Sequence, residues 1–201
     1  ADQQFRPCDD ESKRRAREKW TSGKPYWVYV GSLHPRKNIQ GLLHAFGQYC
    51  QNGGQWDLLV VGVAMWSNDT PLHDGLYADR VHLSGRLSNN DIVEAMAGAE
   101  ALVFVPWFEG FGIPLLEAMA CEVPVIASNV TALPEVCGDA AFALVSPDSS
   151  EDIAEAMLRL EQNPTDARAA AERGISRCRD FSWEKTASLV SQAVDDLLET
   201  S

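Results

Sequence analysis

Glu109 and Glu117 stand eight positions apart in the segment FEGFGIPLLEAMA. Between them, Gly110 and Gly112 permit backbone conformations that other residues rarely adopt, and they let a ligand approach the main chain closely. Pro114 suits the first turn of a helix, and the free N–H groups of a helix start favour an anion. The segment therefore predicts a ligand site, with Glu109 at the rim of a loop and Glu117 on the first turns of the helix that follows.

A basic pair, Arg36 and Lys37, lies in the segment GSLHPRKNI, between a predicted strand and a predicted helix. Gly31 allows a tight turn at the strand end, and two cations beside a helix N-terminus suit a diphosphate. A solvated basic pair on the surface is the alternative interpretation. The segment has neither a G-x-x-x-x-G-K-[ST] nor a G-x-G-x-x-G pattern, which argues against nucleoside triphosphatases and dinucleotide-dependent oxidoreductases.

The segment LSGRLSNND supplies a third candidate. Gly85, Arg86 and Leu87 could present backbone groups and a guanidinium to a base or a phosphate. A surface loop that leads into a helix capped by Ser88 explains the same residues, and the sequence leaves both interpretations open.

Metal and hydrolase chemistry find no support in the sequence. The four histidines share no ligand spacing, and no cluster of His, Cys and carboxylate residues indicates a metal site. His34 lies in the candidate phosphate segment, whereas His44 and His82 are interpreted as structural, and His73 has no assigned role. Ser128 lacks a G-x-S-x-G context, so a hydrolase nucleophile is not indicated.

Short apolar runs alternate with helical patterns along the chain. The predicted strands are YWVYV, DLLVVG, RVHLSG, EALVFVP, VPVIAS and AFALVS, and the chain from Ser149 onward is predicted to be helical. Continuous apolar strands separated by helices predict an α/β fold, a Rossmann-like parallel sheet with helices on both faces. Ligands of such sheets bind beyond the carboxyl ends of the strands, and all three candidate segments follow predicted strands.

Composition and charge narrow the classes of function. The formal net charge of −12 opposes binding to the phosphate backbone of nucleic acids, so no nucleic-acid partner is expected. Five scattered cysteines without metal spacing indicate free thiols in a reducing cytoplasm. No apolar run is long enough for a transmembrane segment. The opening residues 1–24 are predicted to be a linker and a leading helix, like the middle of a larger protein.

Five segments carry a resemblance to a known family. GSLHPRKN, LSGRLS, EGFGIPLLEAMACEVPVIASN, LPEVCGDAAFALVSPDS and DFSWEKTA occur in the order typical of the retaining GT-B glycosyltransferases of family four, also called group 1. The chain resembles the carboxyl-terminal, nucleotide-sugar-binding half of that family from about Phe5 to Leu198. The resemblance implies a donor-binding domain over 25–181 and a C-terminal helix over 182–201 that crosses to an amino-terminal domain absent from this sequence.

The resemblance also implies roles for the candidate residues. Glu117 would bind the ribose hydroxyls of the donor, Glu109 would face the donor sugar, and Lys37 would contact the diphosphate. The backbone amides of Gly110, Phe111, Gly112 and Ile113 would hold the sugar and the distal phosphate. Lys37 and Glu109 are the predicted catalytic residues, and the predicted binding residues also include Gly31, Ser32, Arg36, Gly85, Arg86 and Leu87. Many family members carry an arginine where this chain has Ser32, and Arg36 or Arg86 could supply the missing charge.

The implied reaction is transfer of a hexose from a nucleoside-diphosphate sugar, with GDP-mannose favoured, to a glycan or lipid-linked acceptor bound by the absent domain. No metal or other cofactor is expected, and the chain is expected to be a cytoplasmic monomer whose full-length form could lie at the inner membrane surface. It should bind its nucleotide alone but not transfer sugar. A sugar-nucleotide epimerase of the same fold, or a domain kept only for binding or assembly, are the alternatives.

Overall fold

The computed structural model describes residues 4–63 and 77–199, and these residues form one six-stranded parallel sheet in the order β3-β2-β1-β4-β5-β6. Residues 1–3, His73 and the last two residues of the predicted C-terminal helix lie outside the described ranges. The strands are β1 (Tyr26–Val30), β2 (Asp57–Val61), β3 (Val81–Gly85), β4 (Ala101–Phe104), β5 (Val125–Ser128) and β6 (Ala143–Val145). Each of the six predicted strands is present; β1 has the predicted bounds, and the other five are shorter than predicted.

Helices cover both faces of the sheet, which confirms the predicted fold. They are α1 (Asp10–Thr21), α2 (Ile39–Gln51), α3 (Asn89–Ala97), α4 (Ile113–Ala120), α5 (Leu133–Cys137), α6 (Ser150–Gln162), α7 (Pro164–Cys178) and α8 (Trp183–Glu199). Helix α2 packs against α6, whereas α3 contacts α1 and α4, and α4 contacts α7. Parallel crossovers are right-handed, so the face on which a connecting helix lies depends on the direction in which the next strand is added. That direction reverses in this sheet, which places α2 and α6 on one face and α1, α3, α4 and α7 on the other.

The core lies between the sheet and its helices. Side chains of β1, β2, β4 and β5 are buried almost throughout, whereas the edge strands β3 and β6 carry the exposed residues Leu83 and Leu144. Strands covered on both faces have no solvent side, which explains why the central runs are continuously apolar.

The order of the sheet reverses between β1 and β4. From β1 the chain moves outward to β2 and β3, and then returns to place β4 on the other side of β1. At such a switch point the loops after the two strands diverge and leave a crevice, which is where open α/β sheets bind ligands. The segments that follow β1 and β4 contain Arg36, Lys37 and Glu109.

One glycine allows the loops after β1 and β2 to approach each other. A Cβ atom on Gly62, whose φ is 152°, would lie 1.8 Å from the carbonyl oxygen of Gly31. The same loops are joined by a hydrogen bond from the Leu33 N–H to the Val63 carbonyl, 3.1 Å long. A side chain at position 62 would therefore displace the start of the candidate phosphate segment.

The C-terminal helix is present at the predicted position and packs little against the rest of the domain. Every side chain from 182 to 198 is exposed, including Trp183, Leu197 and Leu198. The division of the chain at 24 and 181, and the crossing of this helix to another domain, stay predictions.

A buried carboxylate lies at the amino-terminal edge of the sheet, opposite the predicted site. Asp57 is 1% exposed and accepts hydrogen bonds from Arg80 Nε at 3.2 Å and His82 Nε2 at 2.8 Å, with Lys24 Nζ at 3.6 Å. Burial alone would raise the pKa of Asp57, but the bonds from His82 and Arg80 and the charge of Lys24 outweigh it and hold the pKa below its usual range. The structural interpretation of His82 is consistent with this contact.

Asp57→Asn should lower the free energy of unfolding at pH 7 by about 1.5–3 kcal/mol, because a charged hydrogen-bond acceptor is lost from a buried cluster. The folded pKa lies below the unfolded one, so this contribution is present above the usual pKa of Asp and is lost as the pH falls through the folded value. Urea unfolding of both proteins between pH 7 and pH 3 measures this difference.

Glu172→Gln is the control, because it removes an exposed Arg168–Glu172 pair and should change stability by less than about 0.5 kcal/mol. A stability difference between Asp57→Asn and the unsubstituted protein that did not shrink in acid would contradict this account.

Candidate functional site

An ion pair joins the loops that follow the two strands at the switch point. Lys37 Nζ contacts the Glu109 carboxylate, and the two side chains are only 11% and 19% exposed. The ammonium group also lies 5.2 Å from the centre of the buried Phe104 ring at the end of β4. The two residues predicted to be catalytic are thus brought into direct contact across 72 positions of sequence.

Local structure fixes the cation of this pair. Pro35–Lys37 forms one turn of 3-10 helix, and the His34 ring nitrogen Nδ1 accepts the Arg36 N–H at 3.2 Å. The N–H of Trp107 donates to the Arg36 carbonyl at 2.9 Å, which joins the turn to the loop after β4. The Arg36 side chain is exposed, directly beside Lys37 in sequence.

Asn38 holds the same turn in place, and the sequence analysis did not identify it. Its side chain is buried and its Nδ2 donates to the carbonyls of Val105, at 3.1 Å, and Pro147, at 2.9 Å. Its φ of 56° places it in the left-handed region, which asparagine tolerates better than most residues. One side chain therefore connects the start of α2 to the ends of β4 and β6.

The loop between Glu109 and α4 leaves main chain accessible to a ligand. Gly112 precedes α4 with a φ of 95°, and a Cβ atom there would lie 2.6 Å from Leu133 Cδ2. A Cβ atom on Gly110 would meet no atom within 4 Å, so this residue borders open space. Gly112, the N-cap residue of α4, has no side chain with which to cap the helix, which keeps its first turn suited to an anion.

The remaining predicted residues lie at the same edge of the sheet but at different distances from the pair. Glu117 is half-buried in α4, and Gly31 and Ser32 follow β1, where the Tyr29 hydroxyl donates to the Ser32 carbonyl at 3.0 Å. Burial and the charge of Glu109 raise the pKa of Tyr29, so this phenol stays neutral and available as a donor.

Gly85 ends β3, and Arg86 and Leu87 follow it; β3 is separated from β1 by β2. The spacing of adjacent strands puts the ends of β1 and β3 about 10 Å apart. This distance suits a ligand that extends along the sheet edge, rather than one phosphate held by all the candidate residues.

The rim of the site is apolar and exposed. Trp107, Phe108, Phe111 and Ile113 are between 43% and 57% exposed, and Phe111 makes an edge-to-face contact with Phe181 at 5.8 Å between ring centres. A groove of about 930 Å³ runs beside α2 and has Asn38 and Trp107 in its lining, but not Lys37 or Glu109. The candidate site is therefore an open face of the domain.

The segment after β5 supports the loop that carries Glu109. The Ser128 hydroxyl donates to the Pro106 carbonyl at 2.8 Å, and Thr131 Oγ1 accepts the Glu109 N–H at 3.3 Å. The sequence analysis predicted the strand VPVIAS ahead of this segment but assigned no role to Thr131. The only available signal was its position after a predicted strand.

Within residues 4–63 and 77–199, no group of three or more His, Cys, Asp or Glu residues could hold a metal ion. None of the helices described is both long and apolar enough to cross a bilayer.

Comparisons with known proteins give consistent matches. A family model described as glycosyl transferases group 1 matches residues 10–177. O-antigen chain mannosyltransferase B of Escherichia coli is 35% identical over 163 residues, which cover 79% of this chain and 42% of that protein.

Two solved structures have the same fold over almost the whole chain. Sucrose-phosphate synthase from Thermosynechococcus elongatus aligns with a TM-score of 0.77 and 28% identity, over 98% of this chain and 51% of that one. The Anabaena protein HepE, solved in complex with UDP and glucose, aligns with a TM-score of 0.83 and 18% identity, over 96% of this chain and 54% of that one. The chain spans about half the length of these relatives.

Asn38→Gly should lower the free energy of unfolding by about 1–3 kcal/mol, because it removes both donors to buried carbonyls while glycine accepts the left-handed φ. Urea unfolding at pH 7 measures the change. Asn52→Gly, at the exposed C-terminal end of α2, is the matched control and should change stability by less than about 0.5 kcal/mol. Equal effects of the two substitutions would mean that the Asn38 bonds do not hold the turn.

Proposed function

The chain belongs to the glycosyl transferases group 1 family, and from that premise we propose that it is the donor-binding half of a retaining mannosyltransferase that uses GDP-mannose. The family recognised from the sequence motifs is confirmed. The retaining outcome, the donor and the acceptor, which we propose is a glycan or a lipid-linked acceptor, go beyond the family assignment.

The contact between Lys37 and Glu109 carries the proposal. A sugar leaves a nucleoside diphosphate with negative charge developing on the distal phosphate, and preorganised cations and amides stabilise that charge in the transition state. Lys37 would supply the cation and the main chain of Gly110–Ile113 the amides, and Glu109 would face the sugar. The site needs no metal ion in this proposal, because its own cation and amides neutralise the leaving group.

Two observations favour mannose and GDP. The relative from Escherichia coli is named a mannosyltransferase, and the PRKN form of the phosphate segment resembles mannosyltransferases of the family. HepE was solved with UDP and glucose, so UDP-glucose is the alternative donor to be compared. Of the two arginines that could replace the charge missing at Ser32, we favour Arg36, which adjoins Lys37, over Arg86, which follows β3.

The other half of the cleft would come from a facing domain. The exposed rim of Trp107, Phe108, Phe111 and Ile113 lies where such a domain and the acceptor would meet the donor site. We therefore expect this chain alone to bind nucleotide without transferring sugar, since closure and acceptor placement are missing. The free thiols of all five cysteines accord with the proposed cytoplasmic location.

Calorimetric titration with GDP, UDP, dTDP and ADP, followed by GDP-mannose and UDP-glucose, tests the proposed donor. GDP and GDP-mannose should bind most tightly, and a chelator should not change their affinity. If UDP bound most tightly, a uridine nucleotide would replace GDP in the proposed donor. Binding of no nucleotide would overturn the proposal.

Lys37→Ala should weaken nucleotide binding roughly ten- to a hundredfold, because a hydrogen bond to a charged group is lost. Lys13→Ala is the matched control and should bind like the unsubstituted chain, since the Lys13 ammonium lies near Glu100, ahead of β4.

Glu117→Gln should remove the preference for ribose over 2′-deoxyribose. A carboxylate that accepts hydrogen bonds from ribose hydroxyls should make the unsubstituted chain bind GDP roughly ten- to a hundredfold more tightly than 2′-deoxy-GDP. The variant should lose most of this preference, whereas Glu122→Gln, an exposed glutamate just beyond the same helix, should keep it. Calorimetry with both nucleotides measures the ratio, and an equal ratio in all three proteins would place the ribose elsewhere.

A further inference from the structure

Residues 128–133, which we call the brace segment, support the loop of Glu109 at three points. Ser128 donates to the Pro106 carbonyl, Thr131 Oγ1 accepts the Glu109 N–H at 3.3 Å, and Leu133 occupies the space that a side chain at position 112 would need. The Ser128 and Leu133 contacts reach Pro106 and Gly112, whereas the Thr131 contact reaches the residue that pairs with Lys37. The brace segment therefore acts on the candidate site chiefly through Thr131.

The backbone of Thr131 is unusual for its residue type. Its φ of 57° lies in the left-handed region, which is costly for a β-branched residue. The other non-glycine residues described with positive φ are Ser22, Asn38 and Glu122. Ser22 and Asn38 directly follow α1 and the 3-10 turn, and Glu122 lies two residues beyond the end of α4, where a left-handed residue commonly ends the element. Thr131 instead precedes α5, so helix termination does not explain it. Such strain persists where the surroundings fix the residue, and it clusters at functional sites.

We propose that Thr131 is a positioning residue for Glu109, and this inference rests on the proposed function. The Glu109 carboxylate is held by Lys37, but a bound diphosphate would compete for the same ammonium group. The bond from the Glu109 N–H to Thr131 does not involve that cation and would persist when the diphosphate binds. Thr131 thus keeps the main chain of Glu109 in place at the moment when its carboxylate must face the donor sugar.

The test separates binding of the sugar from binding of the diphosphate. Thr131→Val keeps the shape of the side chain but removes the hydroxyl, whereas Thr131→Ser keeps the hydroxyl. For each protein, calorimetry gives the ratio of the dissociation constant of GDP to that of GDP-mannose, or of UDP to UDP-glucose if the unsubstituted chain prefers uridine. Loss of one neutral hydrogen bond should lower this ratio about two- to tenfold in Thr131→Val, with little change in the affinity for the diphosphate alone.

Thr131→Ser should retain the ratio of the unsubstituted chain, and so should Thr165→Val, a matched change at an exposed threonine in the first turn of α7. An unchanged ratio in Thr131→Val would overturn the inference, and so would an equal loss of affinity for both ligands, which indicates a purely structural role. If the unsubstituted chain bound none of these ligands, the proposed function would fail, and this inference with it.

Thermal unfolding separates the effect of the Thr131 hydroxyl from the effect of the left-handed backbone at this position. Thr131→Gly also lacks the hydroxyl but adopts the left-handed φ without cost, so it should melt at a higher temperature than Thr131→Val and show the same lowered ratio. A normal ratio in Thr131→Gly would assign the effect to backbone strain and remove the role of the hydroxyl.

Discussion

The ion pair between Lys37 and Glu109 imposes the constraint on which the site depends. Two charges that are mostly buried need accurate geometry, because the free energy lost on desolvation can equal the free energy gained from their attraction. Each partner follows a different strand, so the geometry depends on contacts between loops. Main-chain and side-chain hydrogen bonds supply it: Trp107 bonds to Arg36, Asn38 bonds to the ends of β4 and β6, and Thr131 bonds to Glu109.

The two edges of the sheet carry different kinds of electrostatics. At the amino-terminal edge, Asp57 has several basic partners and a lowered pKa, which suits a cluster that contributes stability. At the carboxyl edge, Lys37 has a carboxylate partner beside open main chain and an exposed rim, which suits a group that can exchange partners with a ligand. This separation lets the charged groups of the site respond to a ligand without loosening the cluster that stabilises the opposite edge.

The sequence predicted the elements of the fold better than the contacts within the candidate site. Apolar runs such as YWVYV identified the strands, and Glu109, Glu117 and Lys37 stood out by residue type and spacing. Strand order does not follow from periodicity, so the meeting of Lys37 with Glu109 at the switch point required the structure. Asn38 and Thr131 were missed for a related reason: their roles come from hydrogen bonds to backbone groups distant in sequence.

Under the proposed function, the exposed rim gives the open site a physical reason to close. Four large apolar side chains, Trp107, Phe108, Phe111 and Ile113, surround the loop of Glu109, and exposed apolar patches of this kind mark surfaces that another group covers. Covering them would also exclude water from Lys37 and the loop amides, and charge interactions strengthen as the local dielectric constant falls. Covering the rim would therefore stabilise the contact with the facing surface and also strengthen the attraction between Lys37 and a departing diphosphate. Binding of the donor and closure of the cleft would then be coupled through one loop.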